Sequence, residues 1–195
     1  MMRGALLVGG MSTRMGVRKH TLKLQNGTTL GEHLYDLLTQ AFGTQPLLLG
    51  DLADDCDWVE GPIVHDDHRA SGPIAGINAA LSLGYGPLLV LAVDMPYMTL
   101  ETLLWIKEQN KTLSKPVLWP RLPGRAFGEP LAGIYTLSAQ TIMDLAIRND
   151  IFALHQAVPV ESRSEPDVPA SLIPQFQNVN TRDEWFNFTE VACRN

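Results

Sequence analysis

The chain has 195 residues, 45% of them apolar, and a net charge of −6. This fits one domain over residues 1–195 with a large core, and it argues against a nucleic-acid binder, which needs a broad basic face. No apolar run is long enough to span a bilayer, and Cys56 and Cys193 are too few for a disulfide framework, which suits a reducing cytoplasm.

The first apolar run, residues 5–8, is bounded by glycine and is predicted to be a buried strand. The first ten residues do not read as a secretory leader, because the short run meets two glycines and then charge. Residues 29–42 carry Leu30, Leu34, Leu37, Leu38, Ala41 and Phe42 at helical spacing, and Gly43 follows as a stop. A second strand is expected over 46–49 and a third over 61–64, running into His65-Asp66-Asp67-His68. Gly72-Pro73 opens a helix through Leu83. Residues 88–93 are the strongest strand signal, with Asp94 at their C-terminal end. Residues 99–110 are expected to be helical, with Thr99 as N-cap. Further strands are expected over 116–119 and 131–135, helices over 138–147 and 151–157, and a short strand over 158–161. Residues 161–174 (ESRSEPDVPASLIP) are Pro/Ser-rich and charged and are predicted to be a long surface loop. A final helix covers 181–188, with Thr181 able to cap it. Strands alternate with helices, and the strands are continuous apolar runs. That pattern predicts an α/β fold with a parallel sheet covered on both faces.

The basic residues are unevenly placed. Arg3, Arg14, Arg18, Lys19 and Lys23 fall within the first 31 residues and no Asp or Glu precedes Glu32, so this stretch is +5 and the remainder −11. Within it lies Gly9-Gly10-Met11-Ser12-Thr13-Arg14-Met15-Gly16. Paired glycines let backbone N–H groups turn inward on a phosphate, and Arg14 and Lys19 supply charge. The string is neither a P-loop, which ends in Gly-Lys-Ser/Thr, nor a G-x-G-x-x-G dinucleotide fingerprint. On glycine content alone, a tight strand-to-helix turn with solvated basic residues fits as well.

The full string 7–19, Leu-Val-Gly-Gly-Met-Ser-Thr-Arg-Met-Gly-Val-Arg-Lys, resembles the L-x-G-G-x-S-x-R-M-G-x-x-K signature of the molybdenum cofactor nucleotidyltransferases, the MobA-like family, at every fixed position. Gly72-Pro73-Ile74-Ala75-Gly76 is similar to the family's G-P-L-A-G segment. Asp94-Met95-Pro96 is similar to its D-x-P motif, Glu129-Pro130-Leu131 through Tyr135 to its x-P-L-x-x-x-Y strand, and Asn178-Val179-Asn180-Thr181 to its N-x-N-T segment. The matches keep their order and cover nearly the whole chain. Among these proteins the chain is similar to the guanylyltransferases.

The resemblance implies a three-layer, Rossmann-like nucleotidyltransferase fold with a mostly parallel central sheet. It implies transfer of GMP from GTP to molybdenum-bound molybdopterin, with Mg²⁺ as cofactor. Arg14, Lys19 and Asp94 would be catalytic. Leu7, Val8, Gly9, Gly10, Ser12, Lys19, Asp66 and Asp94 would contact the nucleotide, and Asp94 the metal. Asn178 and Asn180 would face the acceptor or complete metal coordination, though either also fits a cap of the last helix. An isolated Asp-x-Pro also fits a turn or N-cap, but a carboxylate at the mouth of a buried strand suits Mg²⁺, which takes one or two carboxylates plus phosphate oxygens. His65 and His68 are read as structural, because no third distant His or Cys completes a zinc set. Residues 119–128, Trp-Pro-Arg-Leu-Pro-Gly-Arg-Ala-Phe-Gly, could seat a flat pterin or form an exposed hairpin loop. Transient contact with molybdopterin-handling proteins or apo-molybdoenzymes is a further expectation.

Three features depart from the family pattern. Val8 stands where Ala is common, Arg18 where Asp is usual, and residues 47–51 lack the usual Asn after the second strand. The competing readings are a relative that uses CTP or another phosphorylated acceptor, and a non-catalytic nucleotide-binding subunit.

Overall fold

The computed structural model describes residues 1–8, 17–52, 56–66 and 71–192. Gly9, Gly10, Ser12 and Arg14 of the glycine-rich string lie outside the described residues, as do Asp67, His68 and Cys193.

Among the described residues seven strands form one sheet: β1 (Arg3–Leu7), β2 (Leu47–Leu49), β3 (Ile63–Val64), β4 (Leu88–Ala92), β5 (Val117–Leu118), β6 (Ala132–Tyr135) and β7 (Arg163–Ser164). Their order is β3-β2-β1-β4-β6-β5-β7. Of these strands β6 runs against its neighbours; it pairs antiparallel with β4 and β5, while the other pairings among them are parallel. No helix separates β5 from β6, and a return without a crossover gives an antiparallel pair.

Six α-helices among the described residues cover the sheet: α1 (Leu30–Phe42), α2 (Pro73–Ser82), α3 (Leu100–Gln109), α4 (Ala139–Arg148), α5 (Leu154–Ala157) and α6 (Arg182–Ala192). Leu34 and Leu38 of α1 and Leu103 and Ile106 of α3 pack with Leu6 and Leu91 on one face. Ile74 and Ile77 of α2 and Met143 of α4 pack with Ala5 and Val90 on the other. Adjacent strand residues point to opposite faces, so the continuous apolar runs of β1 and β4 feed both cores.

Helix starts follow local chemistry. Thr29 Oγ1 accepts from Glu32 N (3.2 Å) and Glu32 Oε2 accepts from Thr29 N (3.3 Å), a capping box. Gly43 ends α1 in the left-handed conformation (φ 67°), which costs glycine nothing. Burying one leucine contributes roughly 2 kcal/mol, about twice a typical cap. Packing therefore decides where α1 lies, and the cap decides where it starts.

Three expectations are corrected. The predicted strand over 158–161 is absent. Pro159 has no N–H to give to a ladder, its carbonyl accepts from Ser162 N (3.0 Å), and a 3₁₀ turn spans Val160–Ser162. The strand follows as β7, inside the predicted surface loop. Arg163 is buried there, with Nε 2.8 Å from Glu165 Oε1 and its guanidinium 4.9 Å from the Trp119 ring centroid. The same stretch also holds a 3₁₀ helix, Ala170–Phe176, that buries Leu172 and Phe176. Finally, α5 starts at Leu154 rather than 151, because Asp150 takes a positive φ of 57° and the chain reaches Leu154 extended at Ala153.

Candidate nucleotide site at the mouth of β1 and β4

From β1 the sheet grows one way through β2 and β3, and the other way through β4. Where strand order diverges in an open α/β sheet, a crevice forms beyond the strand C-termini. Val8 and Asp94 mark this crevice: Val8 follows β1, and Val93 N donates to Leu7 O (3.1 Å) just before Asp94.

Lys19 is carried back to the same point by the chain after residue 16, in a 3₁₀ turn spanning Lys19–Thr21. Its Nζ lies 3.3 Å from Asp94 Oδ2 and donates to Asn180 Oδ1 at 2.7 Å. The side chains of Lys19 and Asp94 are 14% and 22% exposed, so a bound anion can reach the ammonium. Asp94 Oδ1 is buried and, among the described residues, has no hydrogen-bond partner. A buried, unpaired carboxylate oxygen beside a cation is costly, and a hard cation would satisfy it. Among the described residues no three His, Cys, Asp or Glu side chains converge on one point, so any such ion would take its remaining ligands from elsewhere.

Asp94 is not a helix cap: α3 starts at Leu100, and Thr99 Oγ1 accepts from Thr102 N (3.3 Å). Asn178 and Asn180 do not cap α6 either, since Thr181 Oγ1 accepts from Glu184 N (3.2 Å). Residues 178–180 are pinned to the crevice by Val179 N, which donates to Asp94 O (2.8 Å). Sequence reasoning did not single out Glu184. Its carboxylate accepts from Asn180 N (2.6 Å) and Thr181 N (3.1 Å), and the signal was the T-x-x-E string from Thr181 to Glu184.

Leu7 and Val8 are buried, and Val8 N donates to Leu49 O (3.0 Å). Their side chains pack into opposite cores, Val8 with Leu6 and Leu34 and Leu7 with Ala5 and Ile74, and carry no charge. Asp66 follows β3, two strands over from β1. A Cβ on Gly76 of α2 would fall 2.9 Å from Asp66 Oδ1, 3.1 Å from Leu49 Cβ and 3.5 Å from Leu7 Cδ1. Only glycine admits the Asp66 carboxylate there. His65 is exposed, with Nδ1 3.2 Å from Asp51 Oδ1. Arg18 Nη1 donates to Asp51 O (3.0 Å), which ties Arg18 to the loop after β2.

Beyond Asn180 opens a cleft of about 860 Å³, with Leu122, Arg125, Phe176, Asn178, Asn180 and Glu184 in its walls. This is within the usual size for a small-molecule site. Trp119 contributes no stacking face to it. That ring is fully buried; Nε1 donates to Tyr135 Oη (3.0 Å), which donates to Pro130 O (2.8 Å). The 119–128 stretch is thus braced from inside, and Phe127 stacks on His155 (4.8 Å between centroids). Burial pushes the Glu129 carboxyl above its ordinary range. The Leu131 N–H and Arg125 oppose the rise, and the charge of Asp94 adds to it.

The family model for the MobA-like NTP transferase domain matches residues 4–157. A Thermococcus kodakarensis protein named "Probable molybdenum cofactor guanylyltransferase" is 29% identical over 99% of this chain and 96% of its own length. A Carboxydothermus hydrogenoformans protein of the same name is 29% identical over 96% and 94%. The crystal structure of molybdopterin-guanine dinucleotide biosynthesis protein A from Archaeoglobus fulgidus superposes with a TM-score of 0.76, at 27% identity and over the whole of both chains.

Proposed function

The chain belongs to the MobA-like NTP transferase family, and from that premise we propose that it transfers GMP from GTP to the terminal phosphate of molybdenum-bound molybdopterin. The products are the guanine dinucleotide cofactor and pyrophosphate. An oxygen of the acceptor phosphate forms the new bond to the GTP α-phosphorus. The bond from that phosphorus to the oxygen bridging to the β-phosphate breaks, and pyrophosphate leaves with the electron pair. The attacking phosphate is already anionic, so no general base is needed.

The observation that carries this reading is the meeting of Lys19, Asp94 and Asn180 at the mouth of β1 and β4. The Lys19 ammonium neutralises charge on the triphosphate, a role that is strongest where water is scarce. Gly9, Gly10, Ser12 and Arg14 complete the phosphate cradle in this proposal. Leu7, Val8 and Asp66 border the nucleoside. Asp94 would hold Mg²⁺, which when bound supplies positive charge to the phosphate oxygens. Asn178 and Asn180 stand between nucleotide and cleft, and the cleft takes the acceptor, aligned for in-line attack. Residues 1–195 act as one catalytic domain. Among the described residues no helix is long and apolar enough to cross a membrane, and we place the reaction in the cytoplasm, with handover to molybdopterin-handling proteins or apo-molybdoenzymes.

The test is binding of GTP, CTP and ATP by calorimetry with Mg²⁺, followed by turnover with the pterin acceptor. Selective GTP binding and dinucleotide formation are expected. Preference for CTP would reassign the base, and binding of no triphosphate would leave a non-catalytic module.

A further inference from the structure

We infer that Glu184 is a positioning residue for nucleotidyl transfer: it holds the backbone of Asn180 so that the Asn180 side chain keeps Lys19 beside Asp94. The inference rests on the transfer reaction proposed above.

The capping boxes of α1 and α6 differ in what the glutamate reaches. At α1 the carboxylate of Glu32 accepts, among the described residues, from the N–H of the cap residue Thr29 alone (3.3 Å). The preceding residue, Thr28, gives its N–H to Asn26 Oδ1 (3.1 Å). At α6 the carboxylate of Glu184 reaches one residue further. It takes the N–H of the cap residue Thr181 at 3.1 Å, and that of Asn180, outside the helix, at 2.6 Å. Capping α6 requires the first bond and not the second. The second, shorter bond serves Asn180.

Asn180 is the residue whose side chain accepts from Lys19 Nζ (2.7 Å). Its neighbour Val179 is tied on the other side to the Asp94 carbonyl (2.8 Å). Asp94 and Glu184 thus anchor the two sides of this segment, and Lys19 is held by its middle. Hydrogen bonds to an ionised carboxylate are the stronger kind. The N–H of Asn180 holds the Glu184 carboxyl below its ordinary range, and the bonds from Thr181 and the charge of Lys19 act in the same direction. The carboxylate is therefore ionised at neutral pH. Without it, one of the two ties on the segment is gone. Misplacing a reacting group by an ångström can cost about 100-fold in rate; losing one of two ties should cost less.

The experiment compares Glu184→Ala, Glu184→Gln and Thr181→Ala. The Gln variant keeps an acceptor oxygen. Thr181→Ala removes the other half of the same capping box but leaves the bond to Asn180. Three readouts are needed: kcat and KM for GTP, the thermal midpoint, and the Lys19 ε-methylene resonance in ¹³C-lysine-labelled protein. Glu184→Ala should lower kcat/KM for GTP about tenfold, through both a lower kcat and a higher KM, and should shift the Lys19 resonance. Glu184→Gln should stay within about threefold of the native kcat, and Thr181→Ala within about twofold despite a similar fall in midpoint. An equal kcat loss in Thr181→Ala, or an unmoved Lys19 resonance in Glu184→Ala, overturns the proposal. If the native chain transfers no nucleotide, the proposed reaction fails, and the Lys19 resonance alone decides the positioning role. If Glu184→Ala does not fold, Glu184→Asp replaces it, since the shorter arm withdraws the carboxylate from Asn180; a native kcat and resonance there overturn the proposal.

Discussion

Lys19 Nζ lies 3.3 Å from Asp94 Oδ2 although 75 residues separate them in the chain. Lys19 follows the glycine-rich string after β1, and Asp94 ends β4, which is hydrogen-bonded to β1. Two parallel strands side by side bring both C-termini to one crevice, and the ion pair forms across its mouth.

Replacing Lys19 by Ala is expected to weaken Mg·GTP binding about 10- to 100-fold, because a charge-assisted phosphate contact disappears. Stability should fall by about 1–3 kcal/mol, as the largely buried Asp94 carboxylate loses its cation. Calorimetry and urea unfolding measure the two effects separately. Unchanged affinity would remove Lys19 from the triphosphate site.

Asp94→Asn keeps the shape of the side chain and removes its charge. Turnover should fall at least about 100-fold, and the response to Mg²⁺ should flatten, while metal-free GTP binding persists. A titration of activity against Mg²⁺ concentration checks this. A native Mg²⁺ response in the variant would contradict the assignment of the metal to Asp94.

Tyr135 carries a pH-dependent contribution. Burial drives its phenol pKa upward, with the charge of Glu129 adding to the rise and the Trp119 hydrogen bond opposing it. The folded-state pKa therefore exceeds the unfolded value of about 10. The stabilisation is complete below pH 10 and is lost as pH rises, because the unfolded chain ionises first. The loss should be about 1.4 kcal/mol per pH unit once the unfolded phenol is ionised. Tyr135→Phe leaves Trp119 Nε1 and Pro130 O without this partner, so it should cost about 1–3 kcal/mol at pH 7. The gap between native chain and variant should narrow between pH 10 and 11.5 in urea unfolding, and a constant gap would refute the argument.

Gly76→Ala sets two effects against each other. Alanine in the middle of α2 gains roughly 0.5–1 kcal/mol of helix stability. Its methyl meets Asp66 Oδ1 and Leu49 Cβ at 2.9 and 3.1 Å, and overpacking costs about 1–3 kcal/mol. Exposed Asp66 is the side that gives way. The expected outcome is near-native stability with GTP affinity lowered about threefold or more. Native affinity would separate Asp66 from the nucleotide.

Much of the architecture was legible because local signals and burial agreed. The runs that became β1, β2 and β4 are continuous and apolar, and both of their faces are covered. Thr29, Gly43, Thr99 and Thr181 mark helix ends by side-chain and backbone chemistry that acts within a few residues. Misreadings occurred where distant partners override local character. Arg163 has the character of a surface residue until Glu165 and the Trp119 ring are beside it. Residues 119–128 were left open between a pterin seat and an exposed hairpin loop, and the fold takes the Trp119 indole N–H into the core, to Tyr135.

The order of residues alone was enough to mark Lys19 and Asp94 as candidates that one site could hold, since a cation after a glycine-rich turn suits phosphate and a carboxylate at a strand mouth suits a metal; Asn180 entered through the family resemblance. That all three meet was decided by the tertiary structure. Their junction depends on strand order in the sheet and on the bond from Val179 N to Asp94 O, which bring residues up to 161 positions apart into contact. Glu184 follows the same logic. The capping string is visible in the chain, but the 2.6 Å bond to Asn180 gains its meaning from the Lys19 ammonium that Asn180 holds. Short-range chemistry is written in neighbouring residues, whereas contact between distant ones is set by how the whole sheet and both cores pack.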